Sequence, residues 1–245
     1  MTTTFDVWLS ALPALLVLAV LGWLISLAIR NVIVASVLWA VMMVAACVSY
    51  ALDSDPRAPG LASIPPLMMI WAVRHIVYLV VRRRQMDPLP GFAFQRLFLV
   101  FVPQAFLAWI VSLPLLGAMT SIHVDRVLFQ IGLAVLGIGV LFEGIAGWLS
   151  RFRPDPAKSG ATTDRVLAFL ARHPNYLGEA LIWWGIWLFA CAAGAWWAFP
   201  GPLLLTALAL RAAQPRQEND SGKGRPGYAD YVLKTNAFFP AGRRN

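Results

Sequence analysis

Charge is what this sequence has least of. Of its 245 residues, 13% are charged and only 12 are Asp or Glu, whereas 59% are hydrophobic. A soluble domain carries about 25% charged residues. That deficit excludes a disordered chain and an ordinary cytosolic globule, and it points to a polytopic membrane protein. Cysteine is scarce as well. Cys47 and Cys191 are the only two, both sit inside apolar runs, and neither belongs to a Cys-x-x-Cys pair. A disulfide scaffold is excluded, and both thiols read as small buried hydrophobes. The three histidines, His75, His123 and His173, are far apart and have no metal-ligand spacing. A basic n-region is missing too: Asp6 precedes a first apolar run too long for a signal peptide, so that run reads as a retained transmembrane helix.

Long apolar runs are what the chain has in abundance. A span needs about 20 mostly apolar residues. Seven runs fit: Val7–Ile29, Val32–Leu52, Leu61–Val81, Leu97–Leu116, Val127–Leu149, Tyr176–Ala193 and Ala195–Leu210. Only Arg30 and Asn31 separate the first two, which predicts a tight helical hairpin. Gly194, Pro200, Gly201 and Pro202 crowd the last junction, where one long bent segment is an alternative. The whole chain, residues 1–245, reads as a single all-α integral membrane domain.

The net charge of +8 is sorted by loop. Arg30, then Arg82, Arg83, Arg84 and Arg96, then Arg151, Arg153, Lys158, Arg165 and Arg172, then the basic tail fall on one side. The other side holds the N-terminus and the loops Asp53–Gly60 and Thr120–Arg126, with only Arg57 and Arg126. The positive-inside rule places the C-terminus in the cytoplasm and the N-terminus outside. Such scattered cations, without interleaved solvent-facing aromatics, argue against nucleic acid as a partner. Membrane lipid is the expected surroundings.

Ionisable residues inside spans are costly and mark candidate sites. Arg74 and His75 stand mid-span in the third run, Glu143 lies inside the fifth, and Glu179 heads the sixth. Arg74 shares a helix face with Trp71 and Tyr78. A buried arginine keeps its proton, so it needs a carboxylate or a phosphate. Glu143 or Glu179 meets that need structurally, and an anionic ligand meets it functionally. His75 reads as a core histidine. The segment from Arg172 through His173, Pro174, Asn175, Tyr176, Leu177 and Gly178 to Glu179 is the most informative in the chain. Pro174 suits a first helical turn. The free N–H groups and dipole of that helix start favour an anion at the cytoplasmic edge. Asn175, Glu179 and Trp183 recur every fourth residue on one face. The pattern predicts a ligand-binding helix mouth.

These residues resemble the steroid 5α-reductase superfamily, in particular its bacterial branch of DUF1295-type membrane proteins. Arg172–Gly185 (RHPNYLGEALIWWG) is similar to a signature of that branch, and Gly227–Pro240 (GYADYVLKTNAFFP) to its C-terminal one. Leu210–Ala212 resembles a cofactor-contacting segment, and Arg74–Arg84 resembles the third-helix Arg-x-x-x-Tyr segment. The likeness covers most of residues 60–240. The first 60 residues match in hydropathy alone, as an N-terminal hairpin before a reductase-like core over 61–240. The resemblance implies a seven-helix fold that binds NADPH from the cytoplasmic side without a Rossmann domain. It implies reduction of a carbon–carbon double bond conjugated to a carbonyl, in a lipophilic substrate entering from the bilayer, with a bacterial inner membrane as the location. It assigns Glu179 and Tyr78 as catalytic. Cofactor contacts fall to Arg74, Lys158, Arg165, Arg172, His173, Asn175, Glu179, Arg211, Tyr228 and Tyr231.

The sequence departs from the family pattern in places. Gly147 stands where the branch has an acidic residue one turn after Glu143. Trp71 replaces an aromatic hydroxyl, and Met86–Pro90 replaces an acidic pair with Arg-Tyr. Two alternatives follow. Isoprenylcysteine and phospholipid methyltransferases, which use S-adenosylmethionine, carry a similar Arg-His-Pro-x-Tyr-x-Gly element. A membrane scaffold that keeps the fold without the activity is the other.

Overall fold

The computed structural model describes residues 3–29, 33–81, 94–151 and 174–212; for 81, 145–151, 174 and 175 it describes the backbone alone. Among the described residues every regular element is helical. In chain order they are α1 (Thr4–Ile29), α2 (Ile33–Asp53), α3 (Gly60–Val81), α4 (Val102–Val111), α5 (Leu113–Met119), α6 (Arg126–Arg151), α7 (Pro174–Ala192) and α8 (Pro200–Ala212). A π-turn over Leu97–Phe101 leads into α4, so Leu97–Met119 acts as one bent rod. The seven apolar runs thus form seven rods. Five of them, α1, α2, α3, Leu97–Met119 and α6, are long and apolar enough to cross a membrane. The chain is a multi-pass, all-α membrane protein.

Among the described residues the apolar part of α7 is Tyr176–Ala192 and α8 covers Pro200–Ala212. The bent single helix does not form, because α7 is actively terminated. Gly194 sits at φ +84°. Its N–H donates to Cys191 O at 2.9 Å, and the Ala195 N–H donates to Ala190 O at 2.8 Å. This pair of bonds is the Schellman closure, which needs a residue free to adopt positive φ. A 3₁₀ turn, Trp196–Ala198, then leads into α8.

The chain divides into two compact units. The first comprises Met1–Gln130 with Ile186–Gly201, the second Ile131–Gly185 with Pro202–Asn245. In the first unit α1 buries Val7, Ala11, Leu15, Ala19, Gly22 and Ser26. These are spaced three or four apart and form one narrow stripe. Val17, Leu21, Leu24 and Ile25 on the other faces are exposed, as lipid-facing side chains are. Central α2 contacts α1, α3 and α4 and buries Met42, Met43, Ala46, Cys47 and Tyr50. Polar groups in this apolar core are satisfied by one another. The Trp8 and Trp109 rings stack at 3.8 Å, each indole N–H donating to the other residue's carbonyl, at 3.2 Å from Trp8 and 2.8 Å from Trp109. Ser112 Oγ also donates to Trp109 O at 2.9 Å and lies 2.8 Å from the buried Tyr50 hydroxyl. With its proton spent on Trp109, Ser112 accepts from Tyr50.

The second unit is held by a glycine seam between α6 and α7. A Cβ on Gly185 would stand 2.7 Å from Leu136 N and 2.8 Å from Gly132 O. One on Gly139 would stand 2.7 Å from Gly178 O. Gly132 and Gly139 on α6, and Gly178 and Gly185 on α7, are each seven residues apart. That spacing keeps them on one face for two turns and lets two backbones meet, the usual basis of helix association in lipid. On its other side α7 packs Leu177 and Ala180 against Ala209 of α8, flanked by Phe142, Leu181 and Trp184. The Trp184 indole donates to Thr206 Oγ1 at 3.1 Å, and Thr206 donates to Pro202 O at 2.7 Å.

Candidate functional site: the polar start of α7

Pro174 opens α7, as expected of a residue whose missing N–H costs nothing in a first turn. The next turn divides its side chains among three tasks. Leu177 and Ala180 bury against α8. Gly178 faces α6, where a Cβ would fall 2.5 Å from Glu143 Cγ and 2.9 Å from Gly139 O. The Glu143 stem therefore occupies the space that a side chain at 178 would need. Glu179 is half-buried and accepts a hydrogen bond on Oε1 from the Trp183 indole at 3.0 Å. Two glutamates are thus drawn to the start of α7, one lying over Gly178 and one beside it in sequence. Arg211 is exposed in the last turn of α8. Because Ala209 packs on Leu177 and Ala180, that turn lies at the same end of the unit as the start of α7. A cation there also complements the C-terminal end of the α8 dipole.

A second group lies on α3, in the first unit. Trp71 is buried, while Arg74, His75 and Tyr78 are half-buried. The Trp71 and His75 rings stack at 5.1 Å, tilted by 28°, which suits the core-histidine reading. Arg74 and Tyr78, four residues apart, share a helix face.

Residues 22–235 match a family described as "Protein of unknown function (DUF1295)". The chain belongs to the DUF1295 family. That family is related to the steroid 5α-reductases. No curated protein and no solved structure matches the chain.

In this DUF1295 protein the described residues bring Glu179, Trp183, Glu143 and Arg211 together in one unit. Arg74 and Tyr78 are described in the other. Asn175 lies in the first turn of α7, where the backbone alone is described. Lys158, Arg165, Arg172, His173, Tyr228 and Tyr231 lie outside the described residues. Tyr50 and Asp55 have other work. Tyr50 is bound to Ser112 in the core. Asp55 pairs with Arg57 at 2.8 Å in the α2–α3 loop, and the hydrogen bonds from Arg57 hold its carboxyl down to about 2. The sequence reading missed the glycine seam and the packing of Glu143 on Gly178. The seven-residue spacing of both glycine pairs was the available signal.

Proposed function

We propose that this DUF1295 protein is an NADPH-dependent reductase of a carbon–carbon double bond conjugated to a carbonyl, acting on a lipophilic, steroid- or lipid-like substrate from the bilayer. The observation that carries the reading is the half-buried Glu179 carboxylate at the mouth of α7, held through one oxygen by Trp183. A carboxylate has about four lone-pair positions. Among the described residues Trp183 is the one hydrogen-bond partner of the Glu179 side chain, so acceptor capacity is left for an amide N–H. The carboxamide of a nicotinamide supplies such a donor, and this free acceptor supports the cofactor assignment. The family relationship to the 5α-reductases supports the same chemistry.

On this reading Asn175 and Glu179 hold the nicotinamide end. The sequence resemblance gives Arg74, Arg172 and Arg211 to the cofactor; His173 beside Arg172 and the loop cations Lys158 and Arg165 join them in answering its phosphates. Tyr228 and Tyr231 close the tail over it, and Tyr78 is the candidate to polarise the substrate carbonyl. The bound cofactor supplies a hydride to the carbon β to that carbonyl. The chain's contribution is positioning in a water-poor setting. Positive-inside sorting supports a cytoplasmic mouth, where NADPH is found, and an outside N-terminus; a bacterial inner membrane is what the family resemblance implies.

The test is NADPH oxidation by purified protein across a panel of lipophilic enones, with NADPH affinity measured for the wild type, Glu179→Gln and Arg172→Ala. Both variants are expected to bind NADPH at least about tenfold more weakly while folding normally. Unchanged affinity in both favours a scaffold. Saturable binding of S-adenosylmethionine without NADPH binding favours the methyltransferase alternative.

A further inference from the structure

We infer that Trp183 is a positioning residue that turns Glu179 into a one-sided acceptor, so that the site selects a ligand carrying an N–H donor; the inference rests on the assignment of Glu179 given above. Trp183 is completely buried, with 0% of its surface exposed, and its indole N–H lies 3.0 Å from Glu179 Oε1. Helical side chains lean toward the helix N-terminus. The indole of residue 183 therefore reaches back one turn, while Glu179 leans toward the first turn at Pro174. An indole donates and never accepts. It fixes Oε1 and leaves Oε2 to face whatever enters the mouth. A carboxylate offers no proton, so an entering carbonyl finds no partner there and an entering amide N–H does. The hydrogen bond also spans a single helical turn, so it holds the carboxylate without help from another rod.

The experiment measures equilibrium binding, in nanodiscs, of NADPH and of its acetylpyridine analogue, in which a methyl ketone replaces the carboxamide and no N–H remains. The wild type is expected to prefer NADPH on the order of tenfold. Trp183→Phe should bring that ratio toward one. Trp184→Phe is the control: it removes an indole hydrogen bond of the same helix, to Thr206 rather than Glu179, and should keep the preference. Glu179→Gln preserves the volume and inverts the chemistry. The donor-only indole selects the amide oxygen, which turns the NH₂ group outward, and the preference should fall toward one, because the carboxamide and the ketone each offer a carbonyl that accepts. A full preference retained in Trp183→Phe overturns the positioning role and leaves the reductase reading intact; one retained in Glu179→Gln overturns the assignment of Glu179. A wild type that binds neither compound, or both equally, overturns the assignment of Glu179 itself.

Discussion

Replacing Gly185 by alanine should loosen the second unit, and a matched variant isolates the reason. The new Cβ would stand 2.7 Å from Leu136 N and 2.8 Å from Gly132 O. It falls about 0.7 Å short of ordinary van der Waals contact with the nitrogen. Both neighbours are backbone atoms of α6, so no rotamer change relieves the clash and the helices must separate. Overpacking of this kind costs about 1–3 kcal/mol. Gly→Ala in a helix also gains about 1 kcal/mol of propensity, which masks part of the loss. Gly137 removes that ambiguity. It lies on α6, and a Cβ there would meet nothing within 4 Å. Gly137→Ala therefore takes the propensity gain alone, and the gap between the two variants is the cost of the seam. Thermal unfolding of each purified variant in the same detergent measures it. A gap of about 1–3 kcal/mol, roughly 2–4 °C per kcal/mol for a chain of this length, is expected, with Gly185→Ala the less stable. Equal midpoints for the two variants would refute backbone contact at the seam.

Two further outcomes follow from the first unit. Ser112→Ala leaves the Tyr50 hydroxyl buried without its acceptor and should cost about 1–3 kcal/mol. The double variant with Tyr50→Phe should cost less than the sum of the singles, measured by the same unfolding assay. At the α2–α3 loop, Asp55 titrates at about 2 in the folded chain because Arg57 hydrogen-bonds its ionised form. Its folded pKa lies below the unfolded value of about 3.9. The stabilising effect is therefore complete above the unfolded value and is lost as pH falls through about 2. A carbon-13 titration of the Asp55 carboxyl should give that low midpoint in the wild type and a higher one in Arg57→Gln; coincident midpoints would show that Arg57 is not the cause.

Most of the architecture was legible because lipid imposes a simple rule. Residues 4–29, 33–53, 60–81 and 126–151 form helices within a few residues of the apolar runs that predicted them. Pro174 marked the start of α7 by its chemistry. The break after α7 was read too, at Gly194, although hydropathy continues across it; the positive φ of that glycine shows how the chain turns there. The π-turn before Pro103 was hidden. A proline removes one N–H but does not dictate which carbonyl its neighbours choose, and here the Val102 N–H reaches back to Leu97 O. At the site, the sequence exposed the ionisable residues, since each is an anomaly in an apolar run. It did not expose what holds them. Gly178 carries no chemistry of its own, and its importance lies in the Glu143 stem that fills its place. Contact between two helices is a property of both faces, whereas hydropathy reports one residue at a time.

The seam and the polar mouth meet at Gly178, which makes stability and ligand binding separable there. Gly178 and Gly185 are two helical turns apart, about 10 Å along α7. Alanine at either position pushes α7 away from α6, so both variants should lose stability. Only the Gly178→Ala variant puts its new methyl group against Glu143, 2.5 Å from Cγ, and only that one displaces the turn carrying Glu179. Misplacing a positioning group by about 1 Å costs as much as about a hundredfold in rate. Gly178→Ala should therefore weaken NADPH binding and turnover well beyond Gly185→Ala, after both are adjusted to the same folded fraction. If the two variants bind NADPH equally, the mouth of α7 is not the cofactor site, and the close packing there serves the fold alone.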